Sequence, residues 1–304
     1  MLKHVNWISA LIILSITLLP EVAAVRADED ARETVLAAFE TINALDGYHL
    51  TIKSNNLSKI IQTDGATTNT YTLQIVEGDI GQDGDRRFTR QFQSGDTYEN
   101  MVKSQPLVME QVVSDGKNYV NFLTEDTIYA DMLNIEPGWW EYEHLLDASE
   151  NTNITAFIRQ FGVTETPLES VFHDNTVLDA HERASQVIDG VTLRVFDVEL
   201  DAVQLLLEQS GITDKEQQQT KLTQDEGLLA ASEITAKFRL WIGAQDGLLY
   251  RGKGEQRSFV PYGTAGTDSD PDYDFDSSGT TEIVISQHGE PVDIQPPDPA
   301  LLNE

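Results

Sequence analysis

The chain of 304 residues carries 51 acidic and 20 basic side chains, a formal net charge of −31, and no cysteine. This acidity excludes nucleic acid as a partner, because phosphate binding depends on lysine and arginine, and it favours a soluble monomer. Without cysteine there is no disulfide, no thiol nucleophile and no site for a lipid anchor, so stability must come from burial and hydrogen bonding.

The first 27 residues have the pattern of a signal peptide. Lys3 precedes an apolar run from Ile8 to Leu19, and small residues follow up to Ala27. A run of about 12 apolar residues is shorter than the roughly 20 that span a bilayer. The sequence therefore predicts an exported, soluble protein of the periplasm or cell exterior, with residues 28–304 as one domain. An N-terminal membrane anchor is the weaker alternative.

An amphipathic helix is predicted after the leader, from Asp28 to Leu45. It ends at Asp46-Gly47, where glycine can cap its C-terminus. Alternation of apolar and polar residues begins at Tyr48 and predicts a strand. The apolar positions at helical spacing are Val35, Leu36, Phe39, Ile42 and Leu45.

Asp-Gly pairs recur along the rest of the chain and predict turns between strands. Those at Asp115-Gly116 and Asp189-Gly190 each separate two alternating segments, as in a hairpin. About ten strands are expected from these patterns. Regular hairpins are typical of an antiparallel, meandering sheet.

The segment FRLWIGAQDGLLYRGKGE, residues 238–255, predicts one hairpin in detail. Gly247 can take the left-handed conformation that closes a three-residue loop with a bulge. In the predicted register Ile242 faces Tyr250. Trp241 lies opposite Arg251 on the other side of the sheet, which suits a cation–π contact.

Helices are predicted to interrupt the strands in two places. Residues 152–174 have a short apolar helical face, with a helix start at Thr166-Pro167. The segment AVQLLLEQSG predicts a second helix, and a capping box from Thr213 to Glu216 a third. Residues 263–281 are predicted to form a long acidic loop, and residues 295–304 an extended tail.

The sequence contains no motif for a catalytic or cofactor site. It has no HExxH, no GxSxG and no phosphate-binding glycine loop, and its six histidines are scattered. Carboxylates are abundant, but no spacing singles out an acid–base pair. We therefore predict a protein that is not an enzyme, with no catalytic residues and no cofactor.

Alternating aspartates in the predicted loop could converge on Ca²⁺. An EF-hand would need glycine at the sixth position and glutamate at the twelfth, where this chain has Tyr273 and Gly279. A solvated acidic loop is the simpler interpretation, and a weak calcium site of a surface protein is the alternative. The candidate ligands are Asp268, Asp270, Asp272, Asp274 and Asp276.

The layout of the chain resembles that of the LppX/LprAFG-type bacterial envelope proteins, which are in turn similar to the lipoprotein carrier LolA. The resemblance implies an α+β fold, a strongly curved antiparallel sheet that forms an open half-barrel, with helices covering its concave face around a cavity for lipid chains. LppX-like members usually have a cysteine at the cleavage site, where this chain has Ala27-Asp28. The resemblance is carried by the leader and then, in order, by ALDGYHLTI, SDGKNYVNF, PGWWEYE, IDGVTLRVFDVELD, FRLWIGAQDGLLYR and TTEIVISQHGEPVDIQPP.

These features predict a carrier that shields a hydrophobic ligand, an acylated lipid or a lipid-modified protein, with membrane-associated donor and acceptor proteins as candidate partners. An interaction or sensor module of the same fold, which binds a protein partner, is the alternative. For every candidate residue of the ligand cavity, plain core packing is an equally good interpretation. The candidates are Leu36, Phe39, Ile42, Trp139, Trp140, Phe238, Leu240 and Ile242.

Overall fold

A computed structural model describes residues 29–81, 84–123, 138–148, 168, 171–209, 215–265 and 272–303. The predicted signal peptide and most of the predicted helical segment 152–174 lie outside these residues. Eleven strands are described: β1 Gly47–Gln62, β2 Thr67–Gly81, β3 Arg86–Gly95, β4 Leu107–Ser114, β5 Lys117–Phe122, β6 Gly138–Glu141, β7 Val177–Ile188, β8 Val191–Leu200, β9 Glu233–Gly243, β10 Leu249–Val260 and β11 Tyr273–Ser286.

The helices of the described ranges are short, apart from the first. They are α1 Glu29–Asn43, α2 Tyr98–Lys103, α3 Tyr142–Ala148, α4 Ala202–Gln209, α5 Lys215–Gln224, α6 Glu226–Ala231 and α7 Tyr262–Ala265, followed by a 3-10 turn at Pro299–Leu301. The first and fourth helices confirm the sequence prediction. None of the described helices has the length and apolar character needed to cross a bilayer.

All eleven strands belong to one antiparallel sheet, in the order β6-β5-β4-β3-β2-β1-β11-β10-β9-β8-β7. Two meanders, β1 to β6 and β7 to β11, join where β1 pairs with β11, with Leu50 opposite Ile285. The sheet is open, with β6 and β7 at its edges. Its size and antiparallel pairing confirm the predicted α+β fold of an open half-barrel.

The predicted Asp-Gly hairpins are present. Asp115 and Gly116 have φ values of 54° and 74°, and Asp189 and Gly190 have 50° and 82°, as expected for two-residue turns with both residues left-handed. Gly247, with φ of 70°, closes the hairpin of β9 and β10.

That hairpin differs from the prediction by one residue. Trp241 pairs with Arg251 as expected, but Ile242 pairs with Leu249, since the register shifts between Leu249 and Arg251. The bulge therefore falls at Tyr250, and the prediction that Tyr250 faces Ile242 was wrong.

The two faces of the sheet have different partners. The inner face carries α1 and α4: Phe39 of α1 and Leu205 of α4 pack with Leu50 and Leu240 of the sheet in the main core. At the far end of the same face, Leu228 of α6 packs with Phe275. Helices thus cover this face, as predicted. Since alternate residues of a strand point to the same side, the neighbours of each inner residue lie on the opposite, outer face.

The predicted loop 263–281 is shorter than expected. Strand β11 begins at Tyr273, because Phe275 enters the apolar cluster of Val260 and Leu228 at one end of the inner face. The C-terminal tail is extended only in part. It packs on the outer face through Ile294 and ends with Leu302 in a parallel bridge to Trp139.

Candidate ligand-binding site

Six of the eight predicted cavity residues meet in the main core on the inner face. Phe39 and Ile42 of α1 and Leu240 and Ile242 of β9 are at most 6% exposed, whereas Leu36 and Phe238 are partly buried at its margin. The four buried residues are packed by the protein's own side chains, among them Val35 and Leu50. A contact between these six residues and a ligand stays a prediction.

A row of three phenylalanines runs along the margin of this core. Phe39 stacks on Phe172 with ring centroids 4.4 Å apart and planes 8° from parallel. Phe238 meets Phe172 edge-on, at 5.0 Å. Phe172 is not among the predicted residues, because the expected helical pattern of residues 152–174 gave this position no link to α1 or to β9.

The two predicted tryptophans do not join the main core. Trp140 lies on the inner face but packs in a separate cluster with Met109, Val120 and Leu145. Trp139 points to the outer face, where it packs against Tyr119 under the C-terminal tail. Their separation follows from adjacency in a strand, which places neighbouring side chains on opposite faces.

The middle of the inner face is formed by small and polar side chains. Residues that pair directly across β1, β11 and β10 form rows on this face. In one row the hydroxyl oxygens of Ser54 and Thr281 are 3.0 Å apart. Gln256 is exposed although it lies on this face. We term this region the inner-face strip; it consists of Ser54, Asn56, Ser58, Gly254, Gln256, Ser258, Ser277, Gly279 and Thr281.

A buried guanidinium separates the main core from the Trp140 cluster. Arg90, 4% exposed, donates from Nε and Nη2 to Gln111 Oε1 at 3.3 and 3.2 Å. Gln111 Nε2 in turn donates to Asn118 Oδ1 at 3.2 Å. Burial, with a smaller contribution from the nearby Arg86, lowers the pKa of Arg90 to about 10. Within the described residues, the inner face therefore combines apolar clusters with the buried cation of Arg90.

The calcium alternative gains no support from the described residues. Asp268 and Asp270 lie outside them. Asp274 Oδ1 accepts a hydrogen bond from Gly263 N at 3.0 Å, Asp276 is 3.7 Å from Lys59 Nζ, and Asp272 is exposed just before β11. In the part of the chain that the structure describes, no three acidic or histidine side chains are grouped as ligands for a metal ion.

A cavity of about 550 Å³ lies on the outer face, between α2 and the strands β2, β1, β11, β10 and β9. None of the eight predicted cavity residues lines it. Its walls include Tyr71, Tyr98, Glu255, Arg257 and Ser278. We refer to it as the outer-face cavity.

Comparison with solved structures finds distant likenesses that cover nearly the whole chain. LprF from Mycobacterium bovis is 13% identical with a TM-score of 0.39, covering 89% of this chain and 98% of its own. The lipoprotein LppX from Mycobacterium tuberculosis is 15% identical with a TM-score of 0.37, covering 88% and 100%. In fold, the chain is similar to LprF and LppX. The resemblance expected from the sequence segments is thus confirmed.

A LolA superfamily protein from Nitrosomonas europaea is a weaker match, 8% identical with a TM-score of 0.21, over 90% of this chain and 97% of its own. No protein-family model and no curated protein sequence matches the chain. The fold of this chain is defined by its own strand order and register.

Proposed function

We propose that this protein is an exported, non-enzymatic carrier that binds a hydrophobic ligand, an acylated lipid or a lipid-modified protein, between the inner face of its sheet and the helices on that face. In this proposal the protein works as a soluble monomer in the cell envelope or outside the cell. Membrane-associated proteins deliver and receive the ligand.

The observation that carries the proposal is the margin of the main core at Phe238. This ring is partly buried, and it lies beside the inner-face strip, in direct register with Gly254, Thr281 and Ser54. Small side chains next to an incompletely covered aromatic ring leave an apolar wall available to a ligand. The neighbours Ile52 and Ile234 are also only partly buried against the same core, so they extend this wall.

The expected energetics suit an acyl chain. Each methylene group removed from water contributes about 0.8 kcal/mol, so ten contribute roughly 8 kcal/mol before the losses of ordering are subtracted. Contact between an acyl chain and the apolar margin would thus provide binding free energy without any charged partner.

Binding of a fluorescent fatty acid tests the proposal with a matched pair of variants. Thr281→Trp places a large ring on the inner-face strip, and Thr280→Trp places the same ring one residue away, on the outer face. We expect Thr281→Trp to abolish binding and Thr280→Trp to leave it unchanged. Lipid extraction of protein purified from its own host should in addition yield a co-purifying acylated molecule.

Two results would overturn the carrier. One is wild-type protein that neither binds the fatty acid nor yields an extracted lipid. The other is equal fatty-acid binding by both tryptophan variants, which would place the ligand away from the inner-face strip. Circular dichroism spectra of the two variants control for misfolding.

A further inference from the structure

We propose that the outer-face cavity is a binding site for a short neutral saccharide. This site lies on the outer face of the sheet and shares three lining residues, Asn56, Gln256 and Gly279, with the inner-face strip. It does not depend on the carrier function. The cavity has an aromatic wall, polar side chains that have no partner among the described residues, and the size of a small-molecule site.

The cavity is built by the register of five strands. One row of directly paired residues crosses the outer face as Tyr71, Leu57, Ser278, Arg257 and Thr235. The next row contains Asn55, Thr280, Glu255 and Lys237 in the same order of strands. The short hydroxyl side chains on β11 lie in the middle, between a wall with Tyr71 and Leu57 and a wall of charged residues.

The aromatic wall is held in place by α2. Tyr98 of this helix meets Tyr71 edge-on, with ring centroids 6.5 Å apart, and the residue is 62% exposed. Met101, 2% exposed, anchors the helix beneath it. Thr97 Oγ1 caps the helix by accepting from Asn100 N at 3.1 Å, and Gln93 Nε2 donates to Ser104 O at 2.8 Å. A solvent-exposed ring on a fixed support suits packing against the C–H face of a sugar ring.

The cavity also offers hydrogen-bonding groups, on β1 and β10, that are not used within the described part of the protein. Among the described residues, the side chains of Asn55, Glu255 and Arg257 make no hydrogen bond or ion pair with one another or with other groups. Glu255 and Arg257 are exposed and two residues apart on the same face of β10. Together they present acceptors, donors and a planar guanidinium to one space.

This mixture favours a neutral polyhydroxyl ligand over an anion. Each sugar hydroxyl both donates and accepts, so it can use a carboxylate, an amide and a guanidinium side by side. The cavity lining contains the cations Lys237 and Arg257 beside the carboxylate of Glu255, and the net charge of −31 on the whole chain opposes an anionic ligand. A volume of about 550 Å³ is within the usual range of small-molecule sites and accommodates two or three sugar rings.

Saturation-transfer difference NMR of the full mature chain tests this site with four neutral trisaccharides: maltotriose, cellotriose, chitotriose and mannotriose. We expect at least one to receive saturation from the wild-type protein. Tyr98→Ala and Arg257→Ala should each weaken its binding by about tenfold, whereas Tyr98→Phe, which keeps the ring, should change it by less than about threefold. Leu178→Ala, at an exposed apolar residue of β7, is the control and should have no effect.

The tryptophan pair separates the two proposals. Thr280→Trp should abolish saccharide binding and leave fatty-acid binding intact, and Thr281→Trp should do the reverse. The saccharide site is overturned if no trisaccharide binds the wild type, or if Tyr98→Ala and Arg257→Ala bind as well as Leu178→Ala. It is also overturned if citrate displaces the sugar and binds in a salt-dependent way, which would indicate an anion site.

Discussion

The ring of Phe238 lies directly over Gly254, its partner across β9 and β10. A Cβ atom at residue 254 would be 2.4 Å from Phe238 Cε1 and 2.5 Å from Cζ. No real side chain tolerates such contacts, so the absence of a Cβ at this position is what lets the ring rest on the sheet. The same ring contacts Phe172, and through it the margin of the main core is tied to α1.

We therefore expect Gly254→Ala to displace Phe238 and to lower the free energy of unfolding by about 1–3 kcal/mol. Urea denaturation measures the change. Gly227→Ala is the control, because residue 227 lies in α6 with no atom within 4 Å of the added Cβ. That variant should gain about 0.5–1 kcal/mol from helix propensity.

A double-mutant cycle isolates the contact. If the alanine at 254 acts through Phe238, the double variant Gly254→Ala/Phe238→Ala should be more stable than the sum of the single effects allows. If the effects of the two single substitutions simply add, the destabilisation by Gly254→Ala comes from strain in the backbone and not from the contact with the Phe238 ring.

Asp197 forms ion pairs with two arginines on the outer face, and these pairs make the stability of the fold depend on pH. Arg239 Nε donates to Asp197 Oδ1 at 2.7 Å and Arg183 Nε to Oδ2 at 2.8 Å. The hydrogen bond from Arg239, aided by that from Arg183, holds the pKa of Asp197 below its ordinary value. A lowered pKa in the folded state contributes stability that is complete above the unfolded value of about 3.9 and is lost as pH falls through the folded value.

Asp197→Asn should consequently cost on the order of 1 kcal/mol at neutral pH, and the difference from wild type should vanish in strong acid. Urea denaturation at a series of pH values measures this. Asp189→Asn, at an exposed turn residue that tolerates a left-handed backbone, controls for the loss of one negative charge. A constant difference between Asp197→Asn and wild type at all pH values would contradict the assignment.

Tyr250, the bulge residue of the β9–β10 hairpin, is held in its neutral form. Burial, together with a 2.7 Å hydrogen bond from Tyr250 Oη to Asp246 Oδ2, raises the pKa of Tyr250 to about 12. The folded value exceeds the unfolded value of about 10, so the contribution to stability is complete below pH 10 and is lost as pH rises towards 12.

The absorbance of tyrosinate tests this directly. The difference between titrations of wild type and Tyr250→Phe isolates one tyrosine, and we expect its midpoint near pH 12. Asp246→Asn, which removes the charged acceptor, should lower that midpoint. A midpoint near 10 in the difference curve would show that Tyr250 is neither buried nor bonded in this way.

The hairpins and the first helix could be predicted from sequence because their signals are local. Asp189-Gly190 specifies a tight turn by itself, and Arg251 lies 5.9 Å from the ring centroid of Trp241 as its register required. The bulge at Tyr250 could not be predicted, because Leu248, Leu249 and Tyr250 are an unbroken apolar run without alternation that would place it. The candidate sites were harder to predict from the sequence than the hairpins. Tyr71 and Arg257 share a cavity only because five strands are in one register, which no local pattern specifies.

The C-terminal tail supports the edge of the sheet at β6. Ile294, 7% exposed, packs with Val112 and Tyr119, and its carbonyl accepts from Ser114 Oγ at 3.0 Å. Asn303 N donates to Trp139 O at 2.7 Å, beside the edge.

We expect Ile294→Ala to lower the free energy of unfolding by about 2–4 kcal/mol and to shift Trp139 fluorescence towards that of an exposed ring. Leu301→Ala, at a tail residue that is 60% exposed, should change stability by less than about 0.5 kcal/mol. Equal small effects of both substitutions would mean that the tail does not stay docked in solution, and β6 would then present an uncovered edge to other chains.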